Sequence, residues 1–225
     1  MKLVFASNNA HKLSEVRAMM PEGIEVLSLK DIGFEAEIEE TGETLEENSL
    51  IKAQTVWDWI VESRKSKVES IDGVFADDTG LEIDALNGEP GVYTARWYKR
   101  EPTLTLPKGK EMTDEMLNFH CNRAKALREL EGKENRGCQF RTVITLLMNG
   151  DATLNGGMIQ IEGVVRGRIA EEEYGEGGFG YDPVFIPEGY DKTFGELPAD
   201  LKNSISHRAR AIQELVKVLN NRMIE

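Results

Sequence analysis

The polar segment 7–12 (Ser-Asn-Asn-Ala-His-Lys) follows a short apolar strand and opens a helix. A helix start presents free backbone N–H groups and the positive end of the helix dipole, and both attract anions. Lys12 adds a mobile positive charge, while Ser7 and Asn9 add hydrogen-bond donors. A plain helix cap with an exposed lysine has the same composition, and the glycine spacing of a P-loop is absent. The segment therefore predicts either an anion site or an ordinary cap.

Two adjacent carboxylates, Asp77 and Asp78, come directly after the apolar strand Val74–Ala76. Open α/β sheets bind ligands at the carboxyl ends of strands. Neighbouring strand side chains point to opposite faces, so one acid could hold Mg²⁺ and the other could orient or deprotonate water. An Asx-type turn that closes the strand is the alternative. Glu39 or Glu40 could add a second carboxylate to the metal, or both could belong to a solvated acidic surface.

The glycine-rich segment 177–182 places Phe179 between glycines and ends at Asp182. Glycine lets the backbone pass close to a ligand, and an exposed aromatic ring can stack on a base. Asp182 could then accept hydrogen bonds from ring N–H groups. A tight bend with a core phenylalanine is the other interpretation. The pattern indicates a slot for a flat ring or a buried turn.

A second cationic segment contains Lys202, His207 and Arg208. A helix predicted from Ser204 to about Asn220 would place His207 and Arg208 in its first two turns, with Lys202 before it. Cations at a helix start are opposed by the helix dipole. We expect a bound anion to offset that penalty, since broken local rules tend to mark functional sites.

The elements that must position these side chains follow an order typical of an α/β protein with parallel strands at its start. A capping box, Thr44 to Glu47, opens a helix to about Arg64. The remaining elements are helices at 11–20 and 116–130 and strands at 3–6, 24–27, 74–76, 81–86, 137–148, 158–169 and 184–186, with a hairpin turn at 149–151. The helix from Thr44 is expected to bury its apolar side chains, namely Leu50, Ala53, Trp57, Ile60 and Val61. We predict an elongated, two-lobed α/β fold with a long central mixed sheet flanked by helices.

The composition argues against two classes of binding protein. The 225 residues include 40 acids and 27 lysines and arginines, a net charge of −13, which argues against coating a nucleic acid polymer or an anionic membrane. Cys121 and Cys138 have neither disulfide-framework nor zinc-site spacing and are expected to be buried thiols. No signal-peptide pattern or run of about 20 apolar residues is present, so a cytoplasmic location is expected.

Six separated motifs, in order, resemble those of the inosine/xanthosine triphosphate pyrophosphatase family. They lie at 7–12, 39–42 (Glu-Glu-Thr-Gly), 76–86 (Ala-Asp-Asp-Thr-Gly-Leu-Glu-Ile-Asp-Ala-Leu), 88–96 (Gly-Glu-Pro-Gly-Val-Tyr-Thr-Ala-Arg), 178–183 (Gly-Phe-Gly-Tyr-Asp-Pro) and 206–208 (Ser-His-Arg). The resemblance spans nearly the whole chain. It implies one pyrophosphatase domain over residues 1–225, with two lobes and an active-site cleft between them, that forms a cytosolic homodimer.

The resemblance also implies residue roles. Asp78 would be the proton acceptor and, with Glu40, a ligand of Mg²⁺, although Glu39 is adjacent and the motif barely separates the two. Substrate would be bound by a larger set: Ser7, Asn8, Asn9, Ala10, His11, Lys12, Thr79, Phe179, Gly180, Tyr181, Asp182, Lys202, His207 and Arg208. The segments 62–73 and 98–112 are longer than the family's usual connections.

The implied reaction converts dITP, ITP or XTP to the monophosphate and pyrophosphate by attack of water at the α-phosphorus. Lys12, Lys202 and Mg²⁺ would stabilise the developing charge. A donor such as Arg208 at the 6-oxo group would suit hypoxanthine or xanthine and would face the amino group of adenine unfavourably. Guanine also carries a 6-oxo group. The alternatives are a nucleotide-binding regulator without turnover and a pyrophosphatase for pyrimidine or other modified nucleotides.

Overall fold

The computed structural model describes residues 1–63, 70–100, 113–148 and 157–224. The chain divides into two compact units. The first consists of Met1–Asp78, Thr142–Gly163 and Arg208–Glu225, and the second of Thr79–Arg141 and Val164–His207. The predicted hairpin turn at 149–151, half of the segment 62–73 and most of the segment 98–112 lie outside the described residues. The predicted cleft stays a prediction.

Within the described residues, seven strands form one mixed sheet. They are β1 (Lys2–Phe5), β2 (Glu25–Leu27), β3 (Gly73–Ile83), β4 (Pro90–Gly91), β5 (Gly137–Met148), β6 (Met158–Ile169) and β7 (Phe185–Pro187). The order is β2-β1-β3-β5-β6-β7, and β4 pairs with β3. The β1 strand is parallel to β2, with Leu3 opposite Val26, and parallel to β3, with Val4 opposite Val74. The pairs β3–β4 and β6–β7 are antiparallel, so the predicted mixed α/β sheet is confirmed.

The part of the chain that the structure describes also contains the α-helices α1 (Ala10–Met19), α2 (Leu29–Ile32), α3 (Leu45–Ser63), α4 (Asp114–Glu129), α5 (Ala199–Ile205) and α6 (His207–Ile224). Three short 3-10 turns occur at Asp84–Leu86, Trp97–Arg100 and Asp182–Val184. Within the described ranges, none of the helices is long and apolar enough to cross a membrane.

The first unit has helices on both faces of its part of the sheet. Successive side chains of β1 point to opposite faces of the sheet, so alternate residues belong to two different hydrophobic cores. Leu3 and Phe5 pack with α1 and α6, whereas Val4 pairs with the core that includes α2 and α3. This double coverage explains why the short first strand is entirely apolar after Lys2.

The second unit has its own core, built where β3, β5 and β6 continue beyond the first unit. Leu81 and Ile83 of β3 pack with the buried Trp97 and with residues of α4. Phe140 and Phe185 lie 4.7 Å apart in the same cluster. Cys121 and Cys138 are buried free thiols, as predicted.

The capping box at the start of α3 is confirmed. The backbone N–H of Glu47 donates to Thr44 Oγ1 over 3.1 Å, and the N–H of Thr44 donates to Glu47 Oε2 over 3.2 Å. We expect Thr44→Ala to lower the free energy of unfolding by about 1 kcal/mol, since a helix N–H loses its partner. Urea denaturation would measure this. As a control, Thr55→Ala removes an exposed hydroxyl of α3 that bonds only the carbonyl of Ile51, and it should change stability by less than about 0.5 kcal/mol.

Two predicted boundaries are wrong. Residues 74–76 and 81–86 do not form separate strands, because β3 runs without a break from Gly73 to Ile83. Asp77 and Asp78 therefore lie in the middle of a strand. The single helix predicted from Ser204 is two helices, with Ser206 in extended conformation between them. Lys202 consequently belongs to α5, and His207 begins α6.

Candidate functional site

The segment 7–12 forms the start of α1. Asn9 is the N-cap, and its side-chain oxygen accepts a hydrogen bond from the backbone N–H of Lys12 over 3.0 Å. Ser7 Oγ accepts from the N–H of Asn9. Three further residues are exposed, namely Asn8, Ala10 and His11. The segment is thus a helix cap that also presents Lys12, so both sequence interpretations apply to it.

Asp77 lies between two cations of the first unit. Lys12 Nζ is 3.0 Å from Asp77 Oδ1, and Arg208 Nε is 3.2 Å from Asp77 Oδ2. Arg208 Nη1 also lies 2.5 Å from Glu15 Oε2. Burial alone would raise the pKa of Asp77, but the ammonium of Lys12 and the guanidinium of Arg208 hold that pKa well below its usual range. Asp77 is therefore a buried anion that fixes Lys12 and Arg208.

Asp78 has a different environment, as the alternation of strand side chains predicts. Lys52 Nζ lies 2.7 Å from Asp78 Oδ1 and 2.8 Å from Glu40 Oε1. Burial raises the pKa of Asp78, and the adjacent Lys52 opposes that rise without cancelling it. The two neighbouring acids of β3 therefore have opposite pKa shifts. Such a contrast is typical of carboxylates with different chemical tasks.

Lys52 is a site residue that the sequence analysis missed. It lies on α3, and only 10% of its side chain is exposed. Burial alone would lower the pKa of its ammonium, but Asp78 and Glu40 outweigh burial and raise it. The available signal was its position between Ser49 and Val56 on the buried face of α3, because lysine is almost never buried without a charged partner.

Glu40 and Asp78 fit a divalent cation better than Glu39 and Asp78 do. Glu40 and Asp78 direct oxygens at one cation, the ammonium of Lys52, whereas Glu39 is exposed. Carboxylate oxygens are the ligands that Mg²⁺ prefers, and Mg²⁺ is commonly held by one or two carboxylates plus substrate phosphates. Within the ranges that the structure describes, no cluster of three or more His, Cys, Asp or Glu side chains could hold a metal alone. The pair therefore suits a metal shared with a phosphate ligand.

The loop that carries Glu40 is attached to the first turns of α3. The N–H of Gly42 donates to Asn48 Oδ1 over 2.8 Å, and the N–H of Glu43 donates to Glu47 Oε2 over 2.7 Å. A side chain at Gly42 would place its Cβ only 2.7 Å from Asn48 Oδ1. The glycine of the Glu-Glu-Thr-Gly motif is required for this close approach.

The glycine-rich segment of the second unit holds Phe179 through Asp182. Asp182 Oδ2 accepts hydrogen bonds from the backbone N–H of Phe179 over 2.8 Å and from Lys202 Nζ over 2.6 Å. Lys202 Nζ also lies 4.7 Å from the centre of the Phe179 ring. Asp182 therefore orients both the ring and the cation that were predicted to contact a base.

Ring and hydroxyl contacts hold His207 and Tyr181 in place. The His207 ring stacks on Phe140, with centroids 4.7 Å apart and planes inclined by 22°. Tyr181 is buried, and its hydroxyl donates to the carbonyl of Thr94 over 3.2 Å. Gly180 follows Phe179 with a positive φ of 61°. Phe140 was not among the predicted site residues.

The expected anion at the second cationic segment is not needed to explain its charges. Arg208 pairs with Asp77 and Glu15, and Lys202 pairs with Asp182. The protein's own carboxylates thus offset the unfavourable helix position of Arg208. The expectation that a bound anion also offsets this penalty stays a prediction.

The predicted residues fall into two groups, one in each unit. The first comprises the segment 7–12, Glu40, Asp77, Asp78 and Arg208, joined by the unpredicted Lys52 and Glu15. The second comprises Thr79, Phe179, Gly180, Tyr181, Asp182, Lys202 and His207. The first group has the charges needed for a phosphate and a metal, and the second has the flat surfaces needed for a base.

Comparison with known proteins gives a consistent result. A family model described as the Ham1 family matches residues 3–218. The dITP/XTP pyrophosphatase of Flavobacterium johnsoniae is 44% identical over 219 residues, which cover 97% of this chain and 98% of that protein. The dITP/XTP pyrophosphatase of Bacillus subtilis is 42% identical and covers 96% of each chain.

Solved structures agree with this likeness. The Staphylococcus aureus Ham1 protein has a TM-score of 0.75 and 33% identity, covering 99% of this chain and 100% of the other. A HAM1 protein from Coxiella burnetii has a TM-score of 0.75 and 32% identity, covering 98% and 99% of the two chains.

Proposed function

The chain belongs to the Ham1 family, and on that basis we propose that it hydrolyses deaminated purine nucleoside triphosphates. The proposed substrates are dITP, ITP and XTP, and the products are the nucleoside monophosphate and pyrophosphate. Removal of these nucleotides would cleanse the nucleotide pool. The relatives named above support this activity because they match almost the full length of the chain.

One observation carries the proposal most directly: Glu40 and Asp78 share one cation, and the neighbouring Asp77 holds Lys12 and Arg208. A triphosphate needs several positive charges around its oxygens, and a bound water needs a base. Lys12, Lys52 and Arg208 provide the charges, while Asp78 provides a carboxylate whose pKa is raised by burial. This favours Asp78 over Asp77 as the base, since the pKa of Asp77 is held low.

In the proposed reaction, water attacks the α-phosphorus and the bond to the pyrophosphate leaving group breaks. Asp78 orients the water and accepts its proton. Lys12 binds phosphate oxygens and neutralises charge that develops on them. Mg²⁺, held by Glu40 and Asp78 when bound, would supply further positive charge at the phosphoryl oxygens. Lys52 keeps the two carboxylates in place.

We assign the base to the second group of residues. Phe179 would stack on the purine. Asp182 and Lys202 would hold the Phe179 ring in position for this contact. His207, stacked on Phe140, would donate to the purine oxygen. The remaining segment residues, Ser7 to His11, and Thr79 would contact the phosphates and sugar. A homodimer in the cytoplasm is part of the same proposal.

Product analysis tests the function. Purified protein incubated with ITP and Mg²⁺ should yield IMP and pyrophosphate, because attack at the α-phosphorus leaves pyrophosphate intact. Chromatography of the nucleotides with a pyrophosphate assay would measure both. Parallel reactions with XTP, dITP, GTP, dUTP and a methylated UTP define the substrate class, and EDTA tests the metal requirement. Formation of IDP and orthophosphate would contradict the proposed bond cleavage, and preferred turnover of the pyrimidines would contradict the substrate class.

A further inference from the structure

One face of α4 contacts the glycine-rich segment that carries Phe179. Phe119 and Phe179 have ring centroids 6.4 Å apart. One turn later, Arg123 Nη1 donates to the carbonyl oxygen of Gly180 over 2.8 Å. Arg123 Nε also lies 2.9 Å from Glu173 Oε2. Residues four positions apart lie on the same helix face, so α4 contacts the segment through both an aromatic ring and a cation.

Backbone hydrogen bonds hold the part of the segment before Phe179: the N–H of Tyr174 donates to the carbonyl of Pro183 over 2.8 Å, and the N–H of Gly177 donates to the carbonyl of Gly195 over 3.0 Å. Residues 171–178 are exposed, and Gly178 and Gly180 on either side of Phe179 have positive φ values of 74° and 61°. Glycine populates many backbone conformations at little cost, so a chain with two such positions needs tethers to stay in one of them. Asp182 provides one tether through the N–H of Phe179. Arg123 provides another through the carbonyl of Gly180, the residue that follows Phe179.

Arg123 is well suited to hold this segment. Only 14% of its side chain is exposed, so water competes weakly for its hydrogen bond to Gly180 and its ion pair with Glu173. It contacts Glu173 before the glycines and Gly180 after Phe179, and it therefore fixes the span between them. Hydrogen bonds from a charged donor are stronger than those between neutral groups. Arg128, on the same helix, is more exposed, at 39% of its side chain, and lies 2.8 Å from its neighbour Glu129.

We propose that Arg123 is a positioning residue for base recognition. It holds Glu173 and the Gly180 carbonyl against α4 and so keeps the Phe179 ring in the orientation that stacks on the purine. Arg123 itself does not contact the substrate. This inference rests on the proposed function, since it takes Phe179 as the surface that binds the base.

Separate binding measurements on the two products test this role. Calorimetric titration of the full-length protein with IMP reports on base and phosphate, whereas titration with pyrophosphate reports on phosphate alone. For Arg123→Gln we expect the Kd of IMP to rise about tenfold, the effect of losing one charged hydrogen bond. The Kd of pyrophosphate should change less than about twofold. Arg123→Lys, which keeps one donor for Gly180, should lie between wild type and Arg123→Gln.

Arg128→Gln is the matched control, because it makes the same chemical change on the same helix and should bind both products as wild type does. Equal weakening of IMP and pyrophosphate by Arg123→Gln would overturn the inference, and so would unchanged IMP binding. Should Arg123→Gln fail to fold, Arg123→Lys decides the question by the same ratio of the two affinities. A wild-type protein that neither binds IMP nor hydrolyses ITP would overturn the proposed function together with this inference.

Discussion

Asp78→Asn is expected to lower kcat for ITP by on the order of 1,000-fold or more while leaving nucleotide binding measurable. Loss of a general base typically costs 10²–10⁴-fold in rate, and the same substitution removes one of the two proposed metal ligands. Asparagine keeps an oxygen for the ammonium of Lys52, which lies 2.7 Å from Asp78 Oδ1. The fold should therefore persist. Steady-state kinetics and calorimetric titration with ITP would separate turnover from binding.

Asp84→Asn provides the control for this substitution. Asp84 follows the same strand and makes a two-point ion pair with Arg166, at 3.1 and 2.6 Å. That pair is partly exposed, so its loss should alter stability by at most about 1 kcal/mol and leave kcat near the wild-type value. Retained turnover in Asp78→Asn would remove Asp78 as the base. Equal losses in both variants would point to a general effect on folding.

Lys52→Met is expected to destabilise the protein and to impair turnover. It would leave Glu40 and Asp78 without the cation that they share, and breaking a buried ion pair costs about 3–5 kcal/mol. We expect about 3 kcal/mol, because 31% of the Glu40 side chain is exposed. Removal of a charge that stabilises the transition state should lower kcat on the order of 100-fold. Urea denaturation and steady-state kinetics would measure the two effects.

The same variant tests the metal assignment without measuring activity. With Lys52 removed, Mg²⁺ should raise the unfolding temperature of the variant more than that of wild type, because the ion then no longer competes with the ammonium that Glu40 and Asp78 share. Lys125→Met is the control: Lys125 is equally buried but lies over the ring of Trp97, with its nitrogen 4.8 Å from the ring centre. An equal response to Mg²⁺ in wild type and both variants would count against Glu40 and Asp78 as metal ligands.

Most elements of the fold could be predicted from apolar periodicity and turn residues. The strands Gly137–Met148 and Met158–Ile169 were predicted at their observed bounds, and the capping box located the start of α3. The break at Ser206 was missed because the apolar spacing from Ile205 to Leu219 is helical throughout. Strand β3 was divided in two because adjacent acids and a glycine commonly end a strand. Here Lys12, Arg208 and Lys52 neutralise those acids inside the sheet.

The site residues that lie in recognisable motifs could be predicted from the sequence. The buried polar residues that contact them were harder to predict. The buried face of α3 includes Asn48, Ser49 and Lys52, whereas the prediction used only apolar positions and wrongly included Val61, which is 57% exposed. A search for apolar spacing cannot find polar residues that are buried because their partners lie far away in sequence. Arg123 was missed for the same reason, whereas Phe140 was missed because its ring contact with His207 joins residues far apart in sequence.

The ammonium of Lys52 pairs with both Glu40 and Asp78. Folding of the chain would therefore not depend on the presence of the proposed Mg²⁺. In small zinc domains the ligands cannot come together until the metal arrives, so the apo-protein stays unfolded. Here the ammonium of Lys52, which is part of the chain itself, already neutralises the two carboxylates. In the proposed site, a newly made chain would complete its fold before Mg²⁺ binds, and the ion would arrive later together with the nucleotide that carries it.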